Sequence, residues 1–246
     1  MSRSLAAVFA HPDDETFAMG GTIALHARRG DPFALYCATD GGAGRSSGVE
    51  VSSPEQLGAL RRRELDAALD VLGARTDVVF GGHPDGRLPE ADADALVGEV
   101  VRFLRAARPA VVVTFGPEGA PTGHRDHRAI CRAATAAFFL AARASEYPEQ
   151  LAAGLAPHGA RRLYYVSWAE PAPGSPIRHQ SVPATASLDT RTTHDVELRA
   201  FHAHRTQRAH EEAFRRDCLT STEDYALVAG APQPAPLVAD LFAGLA

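Results

Sequence analysis

Two short stretches of the chain concentrate the residue types that do acid, base and metal chemistry. AHPDDE brings His11, Asp13, Asp14 and Glu15 together, and GHRDH does the same for His124, Asp126 and His127. Crowding three carboxylates onto one turn costs repulsion and desolvation unless positive charge lies among them. A bound divalent cation removes that cost and keeps the acids ionised. Two histidines and one carboxylate are a usual ligand set for a catalytic zinc, with a further position open to water. His11, Asp14 and His127 are the natural choice. Asp13 follows a different direction from its neighbour on the turn and can face that water. Glu15 reads as an acid in the first turn of a helix, where the dipole favours it.

These parts describe hydrolysis. A cation such as Zn²⁺, with Fe²⁺ or another divalent metal as alternatives, brings the pKa of water toward ~7, and Asp13 is placed to take the proton. There is no GxSxG elbow and no Cys–His pairing to support a covalent acyl-enzyme. A dinucleotide-dependent oxidoreductase is disfavoured because the turn after the first apolar run is HPDDE, which repels a pyrophosphate, rather than GxGxxG. Non-haem iron oxygenases share the ligand types but usually carry HxD on an all-β scaffold. A metal-binding module without catalysis remains an alternative, although it has no need of Asp13 beside a complete ligand set.

Apolar runs and amphipathic stretches alternate around these motifs. LAAVFA (Leu5 to Ala10), FALYCAT (Phe33 to Thr39), DVVFGG (from Asp77), AVVVTFG (from Ala110) and RLYYVSW (from Arg162) read as strands. Helical periodicity is expected over Phe17–Arg29, Pro54–Leu72, Asp92–Arg108, His127–Ala144 and about Val196–Phe214, with a short helix at the C-terminus. Continuously apolar strands alternating with helices predict an α/β fold: a Rossmann-like three-layer αβα sandwich around a mostly parallel sheet. Ligands in such folds bind at the carboxyl ends of the strands. AHPDDE, TDGGAG, GGHPDG and FGPEGAPTGHRDH all fall there. The Pro-, Gly- and Ser-rich segment Glu170–Pro183 reads as loop, so the expectation is one domain over residues 1–246, the part beyond about 170 covering the site.

The chain of 246 residues has 45% hydrophobic residues, 22% charged residues and a net charge of −5. No basic surface suggests nucleic acid as a partner, and no run of about 18 apolar residues suggests a membrane. All 25 basic residues are arginine, and the 3 cysteines are widely spaced without a CxxC pair, as expected of reduced thiols. The N-terminus has no signal-peptide pattern, so a cytoplasmic location is expected. Self-association into a homo-oligomer stays open.

AHPDDE near the N-terminus, with GHRDH after the fourth strand, closely resembles the LmbE-like (PIG-L) amidohydrolases, among them the de-N-acetylases of glucosaminyl-inositol and glucosaminyl-malate. RRRELDAALDVLG, HPDGRL, TFGPEGAPTGHRDHRAI and the late AHRTQ extend the resemblance over roughly residues 5 to 210. It implies an LmbE-like fold and a zinc-dependent deacetylase acting on a small N-acetylated substrate. It implies His11, Asp14 and His127 as metal ligands and Asp13 as general base. Protonated His124 would stabilise the oxyanion or act as acid, with Asp126 orienting and charging a histidine. Arg61 and Asp85 match positions that hold sugar hydroxyls, and His204 matches a histidine near the site. Arg125 stands where the family has Pro, Glu197 where a Lys often precedes the late His, and His83 where an aromatic or apolar residue is common. These departures bear on substrate, so an amidase acting on a non-carbohydrate amide is the alternative.

Overall fold

The computed structural model describes residues 3–74, 76, 78–168 and 181–245. In chain order the elements are β1 (Leu5–Phe9), α1 (Asp14–Arg29), β2 (Phe33–Thr39), α2 (Pro54–Leu72), β3 (Val79–His83), α3 (Ala93–Ala107), β4 (Val111–Thr114), α4 (Arg125–Leu140), α5 (Pro148–Ala152), β5 (Arg162–Val166), β6 (Ala186–Asp189), α6 (His194–Ala203), α7 (Glu211–Asp217) and β7 (Thr222–Gly230). Among the described residues the strands form one seven-stranded sheet in the order β3-β2-β1-β4-β5-β7-β6. The first five strands in chain order pair in parallel, while β7 runs antiparallel to both β5 and β6. This is the expected α/β sandwich with a mostly parallel sheet.

β1 and β4, at the middle of the sheet, are wholly buried because helices cover both faces, while the edge strand β3 is partly exposed. α1, α2 and α6 pack together, and α3 packs with α4. Val8, Phe9, Val112, Val113 and Leu163 are wholly inside. The Leu65, Leu69 and Leu72 stripe of α2 is buried as its spacing predicts; trimming one such leucine to alanine costs about 2–5 kcal/mol. The α2 boundaries follow from its ends. Ser53 accepts the Gln56 N–H, Pro54 opens the helix, and Gly73 closes it in the left-handed conformation.

Strand order reverses at β1, which has β2 on one side and β4 on the other. A crevice opens at the carboxyl ends of strands where such a reversal occurs. AHPDDE leaves β1 and GHRDH follows β4, so the switch point brings the two motifs together.

Several boundaries differ from the sequence expectation. α1 begins at Asp14 rather than Phe17, and α4 runs Arg125–Leu140 rather than His127–Ala144. The expected helix Val196–Phe214 is interrupted: α6 ends at Ala203, a 3₁₀ turn covers Arg205–His210, and α7 follows. Strands β6 and β7 were not anticipated, and residues 241–244 form turns instead of a C-terminal helix. β7 mixes buried, partly buried and exposed positions, a weak signal beside the apolar parallel strands. Most of the expected loop Glu170–Pro183 lies outside the described residues. Among the described residues no helix is long and apolar enough to cross a membrane.

α1 itself is bent, with Met19 outside the helical region. The amide groups freed below the bend, Gly21 N–H and Thr22 N–H, donate to the two oxygens of Glu223 on β7, each at 2.7 Å. A carboxylate at the start of a helical segment is stabilised by the exposed amides and the dipole.

Candidate active site

The AHPD turn folds onto the carboxylate of Asp14. Asp14 Oδ2 accepts the backbone N–H of Ala10 at 3.1 Å and of His11 at 2.8 Å. Its other oxygen, Oδ1, lies 3.3 Å from His127 Nε2. His11 Nδ1 lies 3.3 Å from His127 Nε2 and 3.5 Å from Asp14 Oδ2. Three side chains from the ends of β1 and β4 therefore converge on one point, and each is less than a tenth exposed.

Hydrogen bonds on the far side of each imidazole set which nitrogen looks inward. His127 Nδ1 is 3.1 Å from Ala120 O, which can only accept, so the proton sits on Nδ1 and the Nε2 lone pair faces the centre. His11 Nε2 lies 3.1 Å from Asp85 Oδ1 and 3.3 Å from Asp126 Oδ2, leaving Nδ1 to face the centre. Carboxylate and carbonyl partners of this kind orient metal-ligating histidines and raise their basicity. The donor set fits a small divalent cation. With bonds of about 2.0–2.1 Å, tetrahedral ligands stand about 3.3–3.4 Å apart. A second grouping, His11 with His124 and His127, also brings nitrogen atoms close enough for shared coordination.

Electrostatics point the same way. Burial alone would raise Asp14, yet His127 and His11 hold it well below the usual carboxylate range. Burial opposes a charged His11, but Asp126, Asp14 and Asp85 outweigh it and push its pKa well up. Asp85 and Asp126 are both held low despite burial, chiefly by His11. The pocket favours positive charge at its centre.

Asp13 occupies a separate position. Its backbone is left-handed, at φ 114° and ψ −28°, a conformation that costs a non-glycine residue about 1–3 kcal/mol. Its N–H donates to Glu15 Oε2 at 3.0 Å, and its Oδ2 accepts from Arg61 Nη2 at 2.9 Å. Burial pushes its pKa up to about 6, with Arg61 opposing the rise and Asp14 adding to it. That value suits a base working near neutral pH.

The three residues expected to bind substrate each have partners within the protein. Arg61 is only 4% exposed and bonds Gly41 O, Pro12 O and Asp13, so it holds the Asp13 carboxylate and the glycine-rich loop. A Cβ on Gly41 would run into the guanidinium, which is why glycine stands there. Asp85 spends one oxygen on His11 and the other on the Ala43 N–H. His204 is 0% exposed and bonded to Glu15, so it lies behind the site instead of lining it.

His124 caps α4. Its Nδ1 accepts the Asp126 N–H at 3.2 Å, so the neutral ring carries its proton on Nε2. Burial, then the nearby His11 and His127, lower its pKa. The resemblance implies a protonated His124; burial and these two neighbours work against that charge. Asp126 Oδ2 lies 3.3 Å from His11 Nε2, and the carboxylate also receives the Gly86 and Leu88 N–H groups. Two contributors went unread in the sequence. Phe115 stacks on His127 with centroids 3.9 Å apart, and Glu15 holds Asp13. Phe115, just past an apolar strand, gave no signal distinct from core. Glu15 stood in the motif with a helix-end explanation that sufficed.

The chain matches the family model PIG-L: GlcNAc-PI de-N-acetylase over residues 6–138. A curated relative from Rhodococcus jostii (strain RHA1), 1D-myo-inositol 2-acetamido-2-deoxy-alpha-D-glucopyranoside deacetylase, is 33% identical, the match covering 83% of this chain and 82% of the relative. Among solved structures, N,N'-diacetylchitobiose deacetylase from Pyrococcus horikoshii superposes with a TM-score of 0.75 at 21% identity, covering 92% of this chain and 84% of the other. The 4-carboxy-2-hydroxymuconate hydratase of Pseudomonas putida KT2440 superposes with a TM-score of 0.72 at 20% identity, covering 96% and 99%. The last two show a shared fold, and their different reactions show that fold alone does not choose the chemistry.

Proposed function

Since the chain belongs to the PIG-L family of GlcNAc-PI de-N-acetylases, we propose that it is a metal-dependent deacetylase that hydrolyses an N-acetyl amide on an amino sugar or glycoconjugate, releasing the amine and acetate. The observation that carries this reading is the approach of His11 Nδ1 and Asp14 Oδ1 to His127 Nε2, each at 3.3 Å, with Asp13 on the same turn as His11 and Asp14. A divalent cation, Zn²⁺ or Fe²⁺, held by those three residues would polarise the amide carbonyl and bring the pKa of water toward ~7.

The remaining chemistry belongs to side chains. Asp13 takes a proton from the attacking water while Arg61 holds its Oδ2. His124 donates its Nε2–H to the carbonyl oxygen as negative charge develops, a contribution of about 3–4 kcal/mol for a well-placed donor. Asp13 then returns the proton to the nitrogen as the C–N bond breaks. Asp85 and Asp126 keep His11 in the tautomer that presents Nδ1.

The test is a panel of N-acetylglucosaminides, carrying inositol, malate or a second sugar, beside a small sugar-free acetamide. Equal amounts of acetate and free amine from the sugar conjugates, lost on chelation and restored by metal, support the reading. Acetate released as fast from the simple acetamide would move the substrate to non-carbohydrate amides. No amide hydrolysis by metal-loaded protein would overturn the reaction itself.

A further inference from the structure

The late AHRTQ segment sits behind the site, and its contacts converge on the general base. The chain leaves helix α6 at His204, whose φ and ψ are −76° and 68°. The buried imidazole places Nε2 2.8 Å from Glu15 Oε1, while Nδ1 has no partner among the described residues. Thr16 Oγ1 donates to the same Oε1 at 2.5 Å. The other oxygen of Glu15 receives the Asp13 N–H.

The rest of the segment bonds α2 and the glycine-rich loop. Thr206 N–H and Oγ1 donate to the two oxygens of Glu64, at 3.1 and 2.6 Å. Glu64 lies one turn beyond Arg61 on α2. Ser47 N–H donates to Thr206 O at 2.9 Å, and Gln207 Nε2 donates to Arg45 O at 3.3 Å, tying in the glycine-rich loop.

We propose that His204 and Glu15 are a positioning pair for the general base: Nε2–H of His204 fixes the Glu15 carboxylate, whose second oxygen pins the Asp13 N–H and keeps that residue in its left-handed conformation. The pair touches neither substrate nor cation. A buried ion pair is weak support for a fold, because apolar residues of equal volume serve as well or better. A strained backbone, by contrast, persists only where its surroundings over-determine it. The inference rests on the reading of Asp13 as the base.

The experiment uses the metal-loaded full chain and the N-acetylglucosaminide cleaved best. His204→Leu, His204→Gln and Glu15→Gln are compared with Asp13→Asn for bound metal, thermal midpoint, kcat and KM. His204→Leu should keep its metal and its KM and lose kcat by about 10–100-fold, the scale expected when a catalytic group shifts by about 1 Å. His204→Gln, which restores an N–H near the Nε2 position, should recover most of that loss, and Glu15→Gln should lose kcat at unchanged KM. Loss of metal, a rise in KM alone or an unchanged kcat would each overturn the proposal. Where a variant fails to fold, hydrogen exchange on the unaltered protein decides: the Asp13 amide should be protected like the interior of α1, and rapid exchange there overturns the pairing. If Asp13→Asn keeps full kcat, the base assignment falls and the inference with it. If Asp13→Asn loses kcat and neither His204→Leu nor Glu15→Gln does, only the pair's role falls.

Discussion

Arg61 Nη2 stands 2.9 Å from Asp13 Oδ2 and 2.5 Å from Pro12 O, so one guanidinium holds both the Asp13 carboxylate and the turn that presents it. Its positive charge favours the ionised carboxylate, against a burial that pushes Asp13 up to about 6. Removing the guanidinium raises that pKa further. Arg61→Ala should therefore shift the acidic limb of the kcat profile upward, costing more activity at pH 6 than at pH 8, and should do so on a sugar-free acetamide as well. A rise in KM confined to sugar substrates, with the limb unmoved, would return Arg61 to the role of hydroxyl ligand.

Asp13 and Asp14 are adjacent and should fail differently. Asp13→Asn keeps the Arg61 and Glu15 contacts within reach and removes only the basic oxygen. Bound metal should persist while kcat falls about 10²–10⁴-fold. Asp14→Ala removes an inward-facing donor and should lose metal. Metal analysis beside steady-state kinetics checks both, and a stripped Asp13→Asn would reverse the roles.

Asp126 acts on the centre through His11 and through the Gly86 and Leu88 N–H groups. Asp126→Ala should weaken metal affinity about 10–100-fold, the usual cost of losing an orienting carboxylate. Competition with a chelator measures it. Unchanged affinity would mean that Asp85 alone orients His11.

His124 is pushed below the ordinary histidine range by burial and by its two histidine neighbours. A donor that works as the neutral ring imposes no basic limb at its own pKa. His124→Ala should lower kcat by about 10²–10³-fold and leave the alkaline side of the profile in place. Disappearance of that limb in the variant would restore the protonated histidine.

Glu197 offers a prediction away from the site. Its Oε2 has no hydrogen-bond partner among the described residues, and burial together with the nearby Glu223 pushes its pKa up to about 10. Between the ordinary carboxylate range and that value, the folded chain holds a proton that the unfolded chain releases, so this group's contribution to stability falls as pH rises. Below the unfolded pKa the contribution is fully present. The thermal midpoint should drop from pH 7 to pH 9, and Glu197→Gln should flatten that slope. A variant with the original slope would place the proton elsewhere.

The proposed ligand set and base are legible in the sequence because metal chemistry demands few residue types at short spacings. His11, Asp13 and Asp14 occupy one turn, and His127 opens the helix after an apolar strand. The parallel core was equally legible, since strands buried on both faces read as unbroken apolar runs. What each polar residue bonds to was decided only by tertiary structure. Arg61 lies 48 residues from Asp13, and His204 lies 189 from Glu15. No local pattern encodes such distances: they follow from the reversal of strand order at β1 and from the break in the late helix at His204. β6 and β7 carry weak local signals, and their places follow from tertiary pairing, β7 on β5 and β6 on β7.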